Sequence, residues 1–207
     1  MHPKLLFDTN TDIILENERV LLRPLMQEDA VYLSVYVKEE PSLWKYALTP
    51  ITTEQEFEQY IRTALESRHL KTAYPFIVFD KLQNKYVGST RFYDIQLDNY
   101  TTQFGYTWYS EKTWGTGLNE HCKFLLLSHA FETIGFERVE FRADNRNKRS
   151  IAAMQKIGCT VEGILRNHLP TSDGTRRDSI VLSMLKNEWP TIKAGFLARI
   201  KMLDQNK

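Results

Sequence analysis

The sequence predicts one α/β domain of the mixed α+β kind, in which helices flank a mostly antiparallel sheet. Three observations support this fold class. The chain has 207 residues, 42% of them hydrophobic and 26% charged, which is typical of a globular domain with one buried core. Alternating strand patterns and helical periodicity both occur, in separate blocks. No internal repeat, low-complexity tract or linker divides the chain.

The chain begins with a leader, a strand and a short helix. Residues 1–17 are expected to form a loosely tied N-terminal leader. Residues 19–24 predict a strand that ends at Pro24, because proline has no N–H for the sheet. Asp29 is a typical N-cap residue and predicts a helix over residues 30–39.

A second helix and three strands come next. Thr53 and Glu56 have the spacing of a capping box, in which each side chain bonds the N–H of the other residue. The helix that they begin has one apolar face, formed by Phe57, Ile61 and Leu65. Three strand segments follow, with turns between them: residues 76–79, 86–95 and 101–109. They predict an antiparallel meander.

The pattern changes in the second half of the chain. Residues 118–134 have a broad apolar stripe at helical spacing, and Gly135 suits the end of that helix. Residues 138–143 alternate between charged and apolar side chains and predict a strand. Asn147 is placed to cap a short helix over residues 148–157.

The last predicted sheet element is a long hairpin. Residues 161–169 and 178–185 flank an Asp173-Gly174 turn. An exposed edge strand in this hairpin would permit a homodimer. The predicted domain therefore covers residues 18–190, and residues 191–207 form a helical or flexible tail.

Composition restricts the classes of partner and the compartment. The formal net charge of +1 gives no reason to expect nucleic acid or an anionic membrane as a partner. The N-terminus is a poor signal peptide, and no apolar run is long enough to span a bilayer. Cys122 and Cys159 lie in apolar contexts and are expected to be buried free thiols of a cytoplasmic protein. No metal-binding spacing occurs, and no metal is expected.

Residues 114–117, Trp-Gly-Thr-Gly, lie between the last strand of the meander and the long helix. Two glycines let successive N–H groups turn toward one anion, and the helix adds the positive end of its dipole. The chain lacks the GxxxxGK[ST] pattern of a Walker loop, and Glu120 stands where a Rossmann fingerprint has its third glycine. The remaining hypothesis is the pyrophosphate-binding loop of a coenzyme A-dependent acyltransferase.

The chain resembles the GNAT superfamily of N-acetyltransferases, and especially its branch of ribosomal-protein N-terminal acetyltransferases of the RimJ/RimL type. The resemblance extends from Arg19 to Trp189. It is carried by the order and spacing of four segments: LLRPLMQEDA; GYTWYSEKTWGTG with HAFETIGFERVEF; NKRSIAAMQKIGCTVEGILR; and DGTRRDSIVLSML ending in EW. It implies a single GNAT-like domain with a splayed central sheet.

The resemblance also implies a set of residues that bind acetyl-CoA. Backbone groups at Trp108 and Tyr109 bind the pantetheine arm as an added strand would. The full expected set is Trp108, Tyr109, Trp114, Gly115, Thr116, Gly117, Leu118, Asn119, Asn147 and Ser150. Asn119 departs from the family pattern, which has a small residue there. The basic residues Arg146, Lys148 and Arg149 are candidates for the 3′-phosphate, with a solvated loop as the alternative.

Two residues are expected to be catalytic. In the resemblance, Ser150 lies near the thiolate as its proton donor, although a hydroxyl bonded to local backbone is an equal alternative. The base that deprotonates the amine is less defined, because Gln103 stands where many relatives have an acid. His168 is the candidate base, since imidazole titrates near working pH. Glu140 and Glu162 are further candidates that could instead pair with arginines, and a water chain without a single base also stays open.

The implied activity is transfer of an acetyl group from acetyl-CoA to a primary amine through a tetrahedral intermediate, without a covalent enzyme intermediate. The acceptor is a protein N-terminus or a small-molecule amine. Trp44 and Tyr46 are expected either in the acceptor site or in the core. Two alternatives are a non-catalytic acyl-CoA-binding module, which Gln103 favours, and a phosphate-binding structural domain unrelated to coenzyme A.

Overall fold

The computed structural model describes residues 5, 7–49, 51–171 and 174–205. In this part of the chain the strands form one eight-stranded sheet with the order β1-β2-β3-β4-β5-β6-β8-β7. The strands are Leu15–Glu16 (β1), Val20–Pro24 (β2), Ala73–Asp80 (β3), Lys85–Gln96 (β4), Thr101–Tyr109 (β5), Arg138–Asp144 (β6), Thr160–Pro170 (β7) and Arg176–Leu185 (β8). Neighbouring strands are antiparallel except β5 and β6, which are parallel. The predicted mixed, mostly antiparallel sheet is confirmed.

Helices cover both faces of the sheet. The helices are Ala30–Leu33 (α1), Val35–Glu39 (α2), Glu54–His69 (α3), Leu118–Ser128 (α4), Lys148–Lys156 (α5) and Trp189–Gln205 (α6). Buried residues of α1, α2 and α3 form one core with Ile77 and Trp108. Buried residues of α4, α5 and α6 form a second core with Phe104 and Phe141. The sheet therefore separates an α1–α3 face from an α4–α6 face.

The capping box before α3 is confirmed. The Thr53 hydroxyl accepts from the Glu56 N–H at 3.2 Å, and the Glu56 carboxylate accepts from the Thr53 N–H at 3.0 Å. These bonds satisfy N–H groups that the first turn of a helix leaves without partners. Phe57 and Ile61 are fully buried, as the apolar face of the helix predicts.

The expected N-cap role of Asp29 is wrong. Helical structure begins earlier, with a 3₁₀ turn over Gln27–Asp29. The Asp29 carboxylate accepts from the Met26 N–H at 2.8 Å and forms a 2.6 Å ion pair with Arg23. Asp29 therefore lies at the third position of the turn, where an acid bonds back to the residue before the helix. Arg23 is on β2, so the same carboxylate also joins the start of this helix to the sheet.

The N-terminal segment is tied to the body of the domain. Leu5 is buried in the α4–α6 core, and Phe7 packs against the same core. The Arg68 guanidinium donates to the Thr9 carbonyl at 2.8 Å, and β1 pairs with β2. The described residues of this segment, 5 and 7–17, are therefore held by side-chain and backbone contacts.

The second half of the chain follows the predicted order of elements. After α4 the helix widens into a π-helical turn over His129–Ile134, and Gly135 ends it at a φ of +92°. Asp173 of the predicted hairpin turn lies outside the described residues, whereas β7 and β8 pair on both sides of it. The predicted tail is helical as far as Gln205, because Phe196 of α6 is fully buried against the core.

Cys122 and Cys159 are both free and buried, as predicted. Burial in apolar surroundings raises the pKa of each thiol to about 12, so both are protonated at neutral pH. The cytoplasmic location stays a prediction. Across the described residues, no helix combines the length and apolarity that crossing a bilayer requires.

Candidate active site

Strands β5 and β6 separate part-way along their length. Their parallel pairing runs from Thr101 opposite Arg138 to Phe104 opposite Phe141. Beyond that pair, residues 105–109 stay paired with β4 on their other side but have no partner on β6 among the described residues. One edge of this segment therefore presents its backbone N–H and carbonyl groups to an opening, called the gap below. The splay that the resemblance implies is confirmed.

A bulge in β5 accompanies the separation. Ser89 pairs with Trp108, and Arg91 pairs with Gly105. These two pairs are two residues apart on β4 but three residues apart on β5, so β5 contains one extra residue. The extra residue is accommodated at Tyr106, which has a left-handed φ of +50°. A bulge bends its strand and increases the local twist. The course of β5 away from β6 therefore has a local backbone cause.

The glycine loop, residues 114–117, lies where β5 leads into α4. Gly115 and Gly117 have φ values of +75° and +87°, a conformation that favours glycine. Gly117 is the N-cap of α4 and no side chain caps the helix, so first-turn N–H groups stay available to an external acceptor. A Cβ at Gly115 would meet no atom within 4 Å, so the loop is open at this point. This arrangement can bind a phosphate or pyrophosphate.

Neighbouring side chains hold the glycine loop in place. The Trp114 indole N–H donates to the Tyr109 carbonyl at 3.0 Å, and the Thr116 hydroxyl donates to the Thr113 carbonyl at 2.7 Å. The Arg149 guanidinium lies 3.3 Å from the centre of the Trp114 ring. This cation–π contact joins the loop to α5. Leu118 is fully buried, and Asn119 is half-buried in the first turn of α4.

The N-terminus of α5 follows the end of β6. Asn147 caps this helix, as predicted, because its side-chain oxygen accepts from the Ser150 N–H at 3.1 Å. The Ser150 side chain is half-buried. Of the basic cluster, Arg146 forms a 2.8 Å ion pair with Asp144. The cap thus leaves the amide N–H₂ of Asn147 to donate to another group.

Sequence reasoning missed Lys123, which lies where the gap begins. Its ammonium is buried, lies 5.6 and 5.8 Å from the ring centres of Phe104 and Phe141, and donates to the Thr107 hydroxyl at 3.0 Å. Among the described residues it has no carboxylate partner within ion-pair distance. Burial lowers the pKa of Lys123 to about 8. The sequence signal was a lysine inside the apolar stripe of a helix.

An acid does lie beside Gln103, but it comes from the neighbouring strand. The Gln103 amide donates to the Asp94 carboxylate at 2.7 Å. Asp94 is exposed near the end of β4 and has a φ of +48°. Sequence reasoning missed this pair because it depends on how β4 and β5 pair.

His168 lies on β7 and faces β8. One ring nitrogen is 3.0 Å from the Ser179 hydroxyl. Partial burial and the charges of Arg142, Arg177 and Arg176 lower the pKa of His168 below its ordinary 6.5, so the imidazole is neutral at pH 7. No contact in the described part of the chain joins it to Ser150 or to the glycine loop.

Both glutamates that were candidate bases are held by arginines. The Glu140 carboxylate accepts from Arg138 at 2.8 Å and from Arg142 at 2.6 Å. Glu162 pairs with Arg138 and accepts from Ser183, and these bonds lower the pKa of Glu162 to about 2. A carboxylate stabilised in this way is a weak proton acceptor.

Trp44 belongs to the core of the α1–α3 face. It is buried, and its ring centre lies 4.9 Å from that of Trp108 and 5.8 Å from that of Phe57. Tyr46 is half-buried, and its hydroxyl lies 3.4 Å from the Arg146 carbonyl. Of the two aromatic candidates, Trp44 therefore has a packing role.

A family model described as an acetyltransferase (GNAT) domain matches residues 19–160. The chain belongs to this family. It is 26% identical over 176 residues to the uncharacterized N-acetyltransferase p20 of Bacillus licheniformis, covering 84% of this chain and 97% of the relative. A crystal structure of a GCN5-related N-acetyltransferase from Brucella melitensis superposes with a TM-score of 0.83 at 26% identity, covering 90% and 84% of the two chains.

The predicted family and the class of enzyme are confirmed, and the RimJ/RimL-like branch stays a prediction. Mycobacterium smegmatis RimJ, solved in complex with CoA-disulfide, has the same fold, with a TM-score of 0.76 at 18% identity over 92% of this chain and 94% of its own. This GNAT protein is an acyltransferase of the class that moves an acetyl group from acetyl-CoA to an amine.

Proposed function

We propose that this GNAT acetyltransferase binds acetyl-CoA along the gap and acetylates a primary amine that approaches from the α1–α3 face of the sheet, called the acceptor face below. One observation carries the proposal: β5 leaves β6 beyond Phe104 and Phe141, next to a helix N-terminus that no side chain caps. An open strand edge suits the amide groups of pantetheine, and free helix N–H groups suit pyrophosphate.

The donor half of the site follows from these groups. The glycine loop and the first turn of α4 would hold the pyrophosphate. The backbone of residues 105–109, which includes Trp108 and Tyr109, would bind the pantetheine arm. Asn147 would donate through the amide N–H₂ that its cap bond leaves available. Asn119, as a first-turn residue of α4, would add an amide next to the pyrophosphate.

Two groups would neutralise or stabilise the negative charge that develops on the departing sulfur. Ser150, at the start of α5, would donate a proton to the thiolate. Lys123 would place a positive charge where the gap begins, because its ammonium already bonds Thr107 on the open part of β5. A preorganised cation in a region from which water is excluded stabilises developing negative charge strongly.

His168 would take the proton from the amine. Partial burial and the arginines around it lower the pKa of His168, so its imidazole is neutral at pH 7, which is the state that a base requires. Asp94, oriented by Gln103, is the second candidate, because it is an exposed carboxylate near the end of β4. Glu140 is less suited, since two arginines hold it.

A screen of acetyl-CoA turnover tests the proposal. Release of free thiol would be measured with a panel of primary amines and N-terminal peptides, and acetylated products would be identified by mass spectrometry. We expect saturable acetylation of at least one acceptor. Tight acetyl-CoA binding without acetylation of any acceptor would favour the non-catalytic module. If acetyl-CoA did not raise the melting temperature, the phosphate-binding domain would be favoured instead.

A second copy of the chain is the partner that β7 could accept. This strand is at the edge of the sheet, and Val161, Ile164 and Leu165 on it are between 40% and 47% exposed. Unpaired edges with apolar side chains favour association with another strand. Sedimentation of the purified protein over a range of concentrations would detect such a homodimer, and a concentration-independent monomer would contradict it.

A further inference from the structure

Arg91 is a buried cation on the acceptor face, and no described residue gives it an anionic partner. The residue is 4% exposed, and its Nε and one Nη nitrogen have no hydrogen-bond partner among the described residues. Its guanidinium lies 4.0 Å from the ring centre of Tyr106 and 5.0 Å from that of Tyr60. The charge is therefore held between two aromatic rings rather than by a carboxylate.

Such a group is unusual because arginine stays protonated even when it is buried. Arg19 also has two buried nitrogens without a hydrogen-bond partner, but an ion pair with Asp80 balances its charge, and Lys123 bonds Thr107. Arg91 has neither an ion pair nor a side-chain hydrogen bond among the described residues. Aromatic rings compensate part of the lost hydration, but they do not satisfy N–H donors. The unsatisfied donors of Arg91 point to an anion that completes the site.

The position of Arg91 relates it to the reacting centre. It pairs with Gly105 on β5, the residue at which β5 leaves β6. The gap is on the other side of β5, so the Arg91 backbone lies about 5 Å from the strand that lines the gap. Its contact with Tyr60 of α3 places its side chain on the acceptor face. A small molecule with its amine at the gap could therefore reach Arg91 with a second group.

The surrounding charges also favour an anion. Arg177, which is buried, and Arg142 both lie close enough to influence the titration of Tyr93, whose ring packs on Tyr106. The acids that β4 and β6 place on this face are already engaged: Glu140 binds Arg138 and Arg142, Asp144 binds Arg146, and Asp94 binds Gln103. They leave Arg91 and Arg177 without a carboxylate within ion-pair distance among the described residues.

We propose that Arg91 binds a carboxylate of the acceptor, so that the preferred substrate is a primary amine that carries a carboxylate. This inference rests on the proposed acetyl transfer and specifies its acceptor. Guanidinium N–H groups match a carboxylate in geometry as well as in charge. The Tyr60 and Tyr106 rings, joined by a 3.4 Å contact from the Tyr60 hydroxyl to the Tyr106 carbonyl, hold the guanidinium in place for it.

The experiment compares acceptors that differ only at the carboxylate. Amino acids and their amides would be assayed as pairs, together with peptides whose second residue is Asp or Asn. For each pair, the kcat/KM of the acid would be divided by that of the amide, and this acid-to-amide ratio would be compared between the wild type and Arg91→Gln. The different basicity of the two amines affects both enzymes equally and therefore cancels. We expect the variant to lower the acid-to-amide ratio at least about tenfold, while the KM for acetyl-CoA is unchanged.

Three further variants make the outcome specific. Arg91→Lys keeps the charge and should recover part of the ratio. Arg91→Met keeps the volume, and it replaces Arg91→Gln if that variant does not fold. Arg62→Gln removes an exposed arginine of α3 that bonds Gln59, and it should leave the ratio unchanged. The free amino acids and the peptides distinguish a small-molecule carboxylate from an acidic side chain.

A binding measurement keeps the two proposals separable. N-acetylated amino acids should raise the melting temperature of the wild type more than their amides do, and Arg91→Gln should remove this difference. Equal acetylation of acids and amides by the wild type and the variant would overturn the role of Arg91 and leave the acetyl transfer intact. Failure of every amine would overturn the proposed acetyl transfer, and the binding measurement would then decide the role of Arg91.

Discussion

Burial of Lys123 should cost stability, and the structure gives the size of that cost. Its pKa falls from an ordinary 10.5 to about 8 in the folded protein. Each pKa unit corresponds to about 1.4 kcal/mol, so the buried ammonium costs about 3 kcal/mol at neutral pH. Methionine cannot make the hydrogen bond to the Thr107 hydroxyl, and this loss reduces the gain by about 1 kcal/mol. We therefore expect Lys123→Met to raise the free energy of unfolding by about 1–3 kcal/mol at pH 7.

The pH dependence of the free energy of unfolding tests whether the buried charge of Lys123 is the cause of this difference. The unfolded chain holds the lysine proton up to about 10.5, whereas the folded protein releases it near 8, so stability rises with pH between these values. Below a pH of about 8 the buried ammonium is charged, and its full cost to stability is present. Urea unfolding of the wild type and Lys123→Met at several pH values should therefore show a difference that shrinks above pH 8. Lys38→Met, which removes an exposed lysine of α2, serves as the control and should show no such trend.

Activity should move in the opposite direction. If Lys123 stabilises negative charge in the gap, the more stable Lys123→Met should have a kcat lower by at least about tenfold, with little change in the KM for the amine. A variant that is less stable than the wild type at pH 7 would refute the reasoning about the buried charge. A more stable variant with full activity would refute the catalytic role alone.

Three further predictions concern the donor site and the base. Ser150→Ala should lower kcat at least about tenfold, measured by thiol release, and an unchanged rate with a good acceptor would discard its role as proton donor. The kcat/KM of the wild type should fall as the pH drops through a pKa below 6.5, because His168 then gains a proton. His168→Gln should remove this acidic decline from the pH–rate profile. A decline that persists in the variant would assign the base to another group. Gly117→Ala should raise the KM for acetyl-CoA and lower the melting temperature by about 2–4 °C, because the φ of Gly117 is +87° and the new Cβ would lie 3.1 Å from the Leu203 side chain. An unchanged melting temperature by calorimetry and an unchanged KM would contradict the role of the loop.

Predictions from the sequence succeeded where the signal lies within one or two turns of chain. The Thr53–Glu56 box, the Asn147 cap and the end of the long helix at Gly135 all appear as predicted. Each depends on side chains and N–H groups a few residues apart, so the residue types nearly determine the conformation. Asp29 shows the limit of this reasoning, because its carboxylate binds the Met26 N–H and Arg23 of the sheet instead of capping the residues that follow it.

The sequence by itself determined the class of fold, the glycine loop and the order of segments that carries the family resemblance. Tertiary structure decided which groups surround the gap. Lys123 reaches Thr107 because α4 packs on β5, and Asp94 meets Gln103 because β4 and β5 pair in one register. The surroundings of the Arg91 guanidinium likewise depend on the bulge at Tyr106, because the ring of Tyr106 contacts it. The physical reason is that strand register is set by the packing of the whole sheet, whereas caps and glycine turns are set by neighbouring residues.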